Sequence, residues 1–201
     1  MMREIKRNTE TAFCANTALV TGTATTARVT AGLGTWVATN DDFGSGGVSP
    51  SGNGTDTRTD AATAARRAFV ESDFKNVLQL AYTQGGNPDL VMLGAFNKQA
   101  FSGFSGGATR FDRSEDAKLV ATVDIYRSDF GTLRIIPNRF QRARDAWVLD
   151  TDYWKQATLR PIQKNQLSKT GDNIKYQILW ETGLESCNEA SSGLVADLTE
   201  S

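Results

Sequence analysis

Three short segments carry residue types that could perform acyl transfer: Ser72-Asp-Phe-Lys75, Ser128-Asp129 and Lys169-Thr-Gly171, in that order along the chain. A serine three residues before a lysine on a helix sets a nucleophile beside a base, and the other two segments echo the remaining motifs of serine β-lactamases and penicillin-binding proteins. The first segment lies in a stretch of helical periodicity, as that chemistry needs. The second runs on into Phe130 where an Asn is required, and the third falls at a turn ahead of a strand instead of within one. Serine acyl transfer through Ser72 and Lys75 is therefore the enzymatic alternative to a reading with no catalytic residues at all.

Other chemistries are narrowed by what the chain lacks. It contains no histidine, which removes Ser-His-Asp and Cys-His nucleophile sites and every histidine-bearing zinc site. Asp129-Phe-Gly131 spells a kinase metal-binding tripeptide, but no glycine-rich nucleotide loop or His-Arg-Asp segment accompanies it. Gly32-Leu-Gly34 lacks the third glycine of a dinucleotide fingerprint. Asp150 and Asp152, with Glu181 and Glu185, are the notable carboxylates. Alternate carboxylates on a strand could hold a hard cation, although a solvated strand edge accounts for them. Cys14 and Cys187 lie near opposite ends, and two cysteines do not make a disulfide scaffold. No catalytic, cofactor-binding or metal-binding set emerges.

The elements that would position these groups are legible in part. Arg3 to about Val20 has helical character. Thr21 to Ala65 shifts to Gly, Thr, Ser, Asn and Asp around the apolar islands Leu33 and Trp36-Val37, and reads as loop, as an arm ordered by neighbours would. Arg66–Gln84 is the strongest helix, stopped by Gly85-Gly86. Asp89–Gly94 reads as a buried strand, Ala95–Ser102 as a short helix, and Gly103–Lys118 as an exposed loop. Val123 and Ile125 alternate with polar residues, Asp129-Phe-Gly131 supplies a turn, and Leu133 and Ile135 resume the alternation until Pro137, which cannot donate to a ladder. Ala146–Asp150 is a further strand. A long antiparallel ribbon is expected from residues 154–167 and the alternating Ile174, Tyr176, Ile178 and Trp180, with Gly193–Leu198 as a last short element. The aromatic residues Trp147, Tyr153, Trp154, Tyr176 and Trp180 fall on neighbouring strands, where they would serve either core packing or subunit anchoring.

The 201 residues suit one sizeable domain or two small ones, with 39% hydrophobic and 22% charged residues. With 22 basic against 23 acidic residues the formal charge is −1, which argues against a dedicated nucleic-acid binder. Local basic patches remain open, for instance Arg134, Arg139, Arg142 and Arg144. No apolar run approaches the roughly 20 residues of a membrane span. The expectation is a soluble protein made in the cytoplasm.

Seven segments together resemble one family: Arg3-Glu-Ile-Lys-Arg7, Ala31-Gly-Leu-Gly-Thr-Trp36, Gly94-Ala-Phe-Asn-Lys98, Ser128-Asp-Phe-Gly131, Ile136-Pro-Asn-Arg139, Asp152-Tyr-Trp154 and Lys169-Thr-Gly-Asp172. In order and in element pattern they are similar to the major head (major capsid) proteins of tailed phages, of the Hong Kong 97-type fold. The resemblance runs over essentially the whole chain.

That resemblance implies an α+β subunit with no cofactor, made in a bacterial host's cytoplasm and built into the virion capsid. Its partners would be copies of itself in pentamers and hexamers, with other head proteins, and packaged DNA met only non-specifically. Residues 1–65 would hold the end of a spine helix and a polar loop, 66–137 the axial domain, and 138–201 the return into the peripheral β-ribbon and a C-terminal strand. In this frame the loop Gly103–Lys118 would meet symmetry mates around the capsomer axis, through Phe104, Arg110 and Arg113. The family's N-terminal arm, extended loop and most of the spine helix have no counterpart here, so a truncated chain is expected, and the lysine–asparagine cross-link of some capsids does not transfer. A capsid-associated decoration or binding module is the non-enzymatic alternative.

Overall fold

In the computed structural model, which describes residues 2–104, 124–168 and 171–200, the apolar run Leu90–Leu93 is a strand near the middle of a mixed sheet. The strands are β1 (Asp41–Asp42), β2 (Leu90–Leu93), β3 (Ile125–Ser128), β4 (Gly131–Pro137), β5 (Ala146–Leu149), β6 (Trp154–Gln166), β7 (Tyr176–Ser186) and β8 (Gly193–Val195), and the helices are α1 (Met2–Phe13), α2 (Glu71–Thr83) and α3 (Ala95–Ser102). Six strands form one sheet in the order β1-β8-β5-β2-β4-β3, and β6 and β7 form a separate antiparallel pair. Within the sheet β2 runs parallel to β4 and β1 parallel to β8, while β5 is antiparallel to both of its neighbours. The architecture is mixed α and β.

The period of two along each strand sorts the core into two layers. Val91, Leu93, Leu133, Ile135, Ala146, Val148 and Val195 face α2 and α3, where they meet Phe74, Val77, Leu78 and Phe101. Phe69, Phe74, Phe101, Phe104 and Tyr126 make a chain of ring contacts there, with centroids 4.9 to 6.5 Å apart. Met92, Trp147, Leu149 and Leu194 face the other way and pack with Cys14, Leu33 and Val37. The cover on this second face is no helix: it is the polar stretch that the sequence reads as loop. Where α2 crosses β8 the contact is so close that a Cβ on Gly193 would lie 2.3 Å from Val77 Cγ1, so only glycine fits.

Strands β2 to β5, helix α3 and the β6–β7 ribbon stand where the residue pattern puts them. Gly131 takes φ +150° at the turn between β3 and β4, and Ser128 Oγ closes that turn by accepting from Phe130 N–H and donating to the Gly131 carbonyl. Two helices are shorter than expected. Helix α1 ends at Phe13, not near Val20, because Asn16 turns its amide to the Arg58 backbone, donating to its carbonyl at 2.9 Å and accepting from its N–H at 3.2 Å. Val20 then pairs with Val29 in an antiparallel bridge. Helix α2 starts at Glu71, not Arg66, since Arg67 is taken by a parallel bridge to Leu198, with Arg67 N–H donating to the Asp197 carbonyl and Thr199 N–H to that of Arg67. Long-range backbone pairing overrides local helix propensity at both places. The turn residues Lys169 and Thr170 and most of the loop Gly103–Lys118 lie outside the described residues.

Leu78 sits on α2 at 1% exposure against the sheet. Leu78→Ala is expected to cost about 2–5 kcal/mol, read as a lowered urea midpoint with unchanged slope.

Candidate functional site

Among the described residues, much of the β6–β7 ribbon stands clear of the rest of the fold. It pairs Trp154 with Ser186 at its base and Gln166 with Tyr176 near its far end, with register irregularities around Arg160. From Lys155 to Gln166 every residue of β6 is exposed, and β7 is at best half-buried. Leu159 and Ile174 are 65% and 58% exposed, and Leu167 and Tyr176 also face solvent. A lone two-stranded ribbon is marginal in water, because neither face has a layer to pack on. Across the strands it holds Arg160 to Glu181 at 3.3 Å and the Lys164 ammonium 4.2 Å from the centre of the Tyr176 ring. Exposed pairs of this kind contribute little.

Its base, by contrast, is anchored. Trp154 Nε1 donates to Ser192 Oγ at 2.9 Å, and Leu184 N–H to Thr30 Oγ1 at 3.0 Å. Between that base, α1 and the Val20–Val29 bridge runs an open groove of about 1330 Å³, with Ile5, Phe13, Val20, Val29, Leu159 and Trp180 among its lining. Helix α1 has no fully buried residue. Ile5, Thr9 and Phe13, its half-buried positions, recur every four residues and form one stripe toward the groove. At its C-terminal end Glu10 accepts from Asn138 Nδ2 at 2.8 Å, which ties the helix to the loop after β4.

What holds the polar cover in place is a buried network of charges. The Arg58 side chain is wholly buried, donates to Asp145 through Nη2 and to Asp60 through Nε at 3.2 Å, and lies over the rings of Phe43 and Trp147. Arg142 pairs with Asp60, and Arg144 bridges Asp60 and Asp197 at 3.4 and 3.0 Å. Asp197, at φ +58°, also accepts from Gly44 N–H at 3.2 Å. Three guanidiniums thus face three carboxylates. Burial pushes the Asp145 carboxyl upward against the pull of Arg58, whereas at Asp60 burial is outweighed by Arg142 and Arg58, which hold it below the usual carboxylate range.

The residues singled out for chemistry do not converge. Ser72 is exposed and donates to the Asp73 carboxylate at 3.3 Å, while the Lys75 ammonium pairs with Glu71 at 2.8 Å, so the motif's lysine does not stand at the serine. Ser128 is consumed by its turn. Asp150 is not a solvated edge residue but is buried at the sheet's end, where it accepts from the N–H groups of Asn87 at 2.9 Å and Asp152 at 3.3 Å. Among the described residues no group of three or more Cys, Asp or Glu side chains could hold a metal ion. Both cysteines are free, and burial pushes the Cys14 thiol up to about 12. Trp147 is core and Tyr176 is surface, which divides the aromatic set. Phe104 is half-buried against Phe69 and Phe101, while Arg110 and Arg113 lie outside the described residues. The basic group Arg134, Arg139, Arg142 and Arg144 disperses: Arg142 and Arg144 belong to the network, Arg134 pairs with Asp89, and Arg139 is exposed. The Arg58–Asp145 pair escaped the sequence reading because its partners stand 87 residues apart and Arg58 sits in a Gly/Ser/Thr run without apolar periodicity.

Comparison with known proteins gives one coherent result. The family model described as SU10 major capsid protein matches residues 1–199. The major capsid protein of Escherichia phage Phieco32 is 24% identical over 131 residues, which are 63% of this chain and 37% of that protein. The chain therefore spans little more than a third of that relative's length.

Arg58→Ala leaves Asp145 buried without its hydrogen-bonded partner, with only Arg142 at 4.0 Å, and should cost about 3–5 kcal/mol, against less than about 1 kcal/mol for Arg160→Ala on the ribbon, both by chemical denaturation. In the native protein at pH 8 an aromatic disulfide reagent should titrate the exposed Cys187 alone, and Cys14 only after unfolding.

Proposed function

Since the chain belongs to the SU10 major capsid protein family, we propose that it is a structural, non-enzymatic subunit of a bacteriophage head whose β6–β7 ribbon is buried by neighbouring copies. The ribbon carries the reading: an anchored base, 24 residues of strand, and apolar side chains such as Leu159 in water. Many modest contacts between unlike surfaces of identical subunits close a shell by symmetry, and such a subunit needs no reactive group. Lys75 is ion-paired with Glu71 and does not stand at the exposed Ser72.

The finer assignment is a Hong Kong 97-type subunit located in the virion and made in the host cytoplasm. Residues 66–137 supply α2, β2, α3, β3 and β4 to an axial domain, the β6–β7 ribbon belongs to the peripheral domain, and α1 is the end of the spine helix. Pentamers and hexamers are the assembly units. Phe104 is proposed as the start of the axial contact, with Arg110 and Arg113 beyond it.

Light scattering after size exclusion tests the reading. The chain should elute as pentamers, hexamers or larger particles, and Leu159→Lys with Ile174→Lys should return it to a monomer with an unchanged unfolding midpoint. A wild-type monomer, or a double variant that assembles equally well, would overturn it. A monomer or trimer that attaches only to preformed shells would identify a decoration module instead.

A further inference from the structure

The β6–β7 ribbon has two long edges, and they are not alike. Between the pairs Thr158–Thr182 and Gln163–Leu179 the chain advances further along β6 than along β7, so the extra residues bulge from β6, on either side of Arg160. Pro161 sits among them and has no N–H to offer. Bulges and proline are the devices that keep a strand edge from pairing with another chain. Strand β7 has neither: its 11 residues contain no proline, and the irregularities of the ladder lie opposite it.

Successive residues of an antiparallel strand turn their backbone groups to opposite sides, so the bonds at the two ends of β7 fix which side each residue serves. Leu167 N–H donates to the Lys175 carbonyl and Cys187 N–H to that of Tyr153, which turns the odd-numbered residues toward β6. Leu184 N–H donates the other way, to Thr30 Oγ1. By the same alternation Tyr176, Ile178, Trp180 and Thr182 aim their N–H and C=O groups outward, and among the described residues none of these groups has a partner. Thr30 closes the edge at Leu184. From Thr182 onward it lies open, beside the groove that Trp180 and Thr182 line together with Ile5, Val20 and Val29.

We propose that this edge is filled by β7 of a second copy, antiparallel about a two-fold axis through Ile178, so that two ribbons become one sheet in the order β6-β7-β7-β6. The mate must itself offer an open edge of similar length. Of the other described strands at a sheet border, β1 has two residues, β3 has four and β6 is blunted, which leaves β7 itself. The side chains set the register. With Ile178 on the axis, Lys175 of each copy stands opposite the other's Glu181 and Tyr176 opposite the other's Trp180, so one opposite-charge pair and one aromatic pair each occur twice by symmetry. Moving the axis to Leu179 sets Lys175 against Gly183 and Glu181 against Gln177, which loses the charge pairs. Moving it to Trp180 needs the outward groups of Leu184, whose N–H Thr30 already holds. In the favoured register the exposed Ile174 comes opposite Thr182 of the second copy, at the mouth of its apolar groove. The pairing rests on the reading of the ribbon as a surface buried by neighbouring copies, and it names the surface that meets it. Contacts between unlike surfaces make rings, whereas a contact of like with like can join one ring to the next.

The test is disulfide trapping in the full chain carrying Cys187→Ser, which leaves the buried Cys14 as its native thiol. Ile178→Cys sets two thiols opposite each other on the axis, where the Cα atoms of a hydrogen-bonded pair lie about 5.5 Å apart, within disulfide reach. Copper phenanthroline should convert most of this variant to a covalent dimer on a non-reducing gel. Gln163→Cys, beside Leu179 on β6, would lie three strand spacings from its own copy, about 14 Å, and should stay a free thiol. Adding Lys175→Glu to Ile178→Cys sets carboxylate against carboxylate and should slow trapping at least about tenfold at low salt. An Ile178→Cys chain that stays reduced, or a Gln163→Cys chain that is trapped equally fast, would sink the pairing. If the wild-type chain nonetheless forms large particles in light scattering, the shell reading stands without it. A trapped dimer from a chain whose mass never exceeds that of a dimer would keep the pairing and remove the shell.

Discussion

The burial of Arg58 is the constraint on which the second face of the sheet depends. A guanidinium with no exposure is costly to desolvate, and here the cost is offset by Asp145, Asp60 and two aromatic faces. In return one side chain joins the polar segment after β1 to the loop before β5. Arg142 and Arg144 extend the joint to Asp60 and to Asp197 beyond β8. The polar segment has few apolar residues of its own with which to adhere. Without the charge network Trp147, Leu149 and Leu194 would have little to cover them, and the sheet would be a one-sided layer.

The two parts of the molecule stand in opposite thermodynamic positions. The six-stranded sheet has a helical layer on one side and the pinned polar segment on the other, and its strands β5 and β8 are buried throughout. The ribbon has a firm base and an outer half that is exposed. On the proposed capsid reading, a ribbon anchored at its base needs less ordering when neighbours meet. The contact itself can then be modest, and repetition supplies the rest.

Where burial leaves periodicity, the sequence was readable. Val91, Leu93, Leu133, Ile135 and the alternating stretch of β7 carry a period of two, and Ala95–Ser102 was delimited by glycines on both sides. Where structure is held by backbone hydrogen bonds and charges, no such signal exists. Leu33, Val37 and Arg58 are core residues inside a Gly/Ser/Thr run, and the short strand Gly193–Val195, expected only as part of a last short element, lies between β1 and β5 with every residue buried. Asp150 misled for the same reason, since its partners are N–H groups that composition does not display. The Ser72-x-x-Lys75 spacing was legible in the sequence, whereas the pairing of Lys75 with Glu71 instead of Ser72 was not.

Helix α1 joins these threads. It alternates charged and apolar faces, yet none of its residues is fully buried and only its last turn is tied to the sheet through Glu10 and Asn138. An isolated helix of 12 residues is marginal in water even with good helix formers. Its order in this fold rests on the stripe Ile5, Thr9 and Phe13 against a groove that is only half filled. Such a helix is stabilised further by whatever completes the groove, through its helix–coil equilibrium.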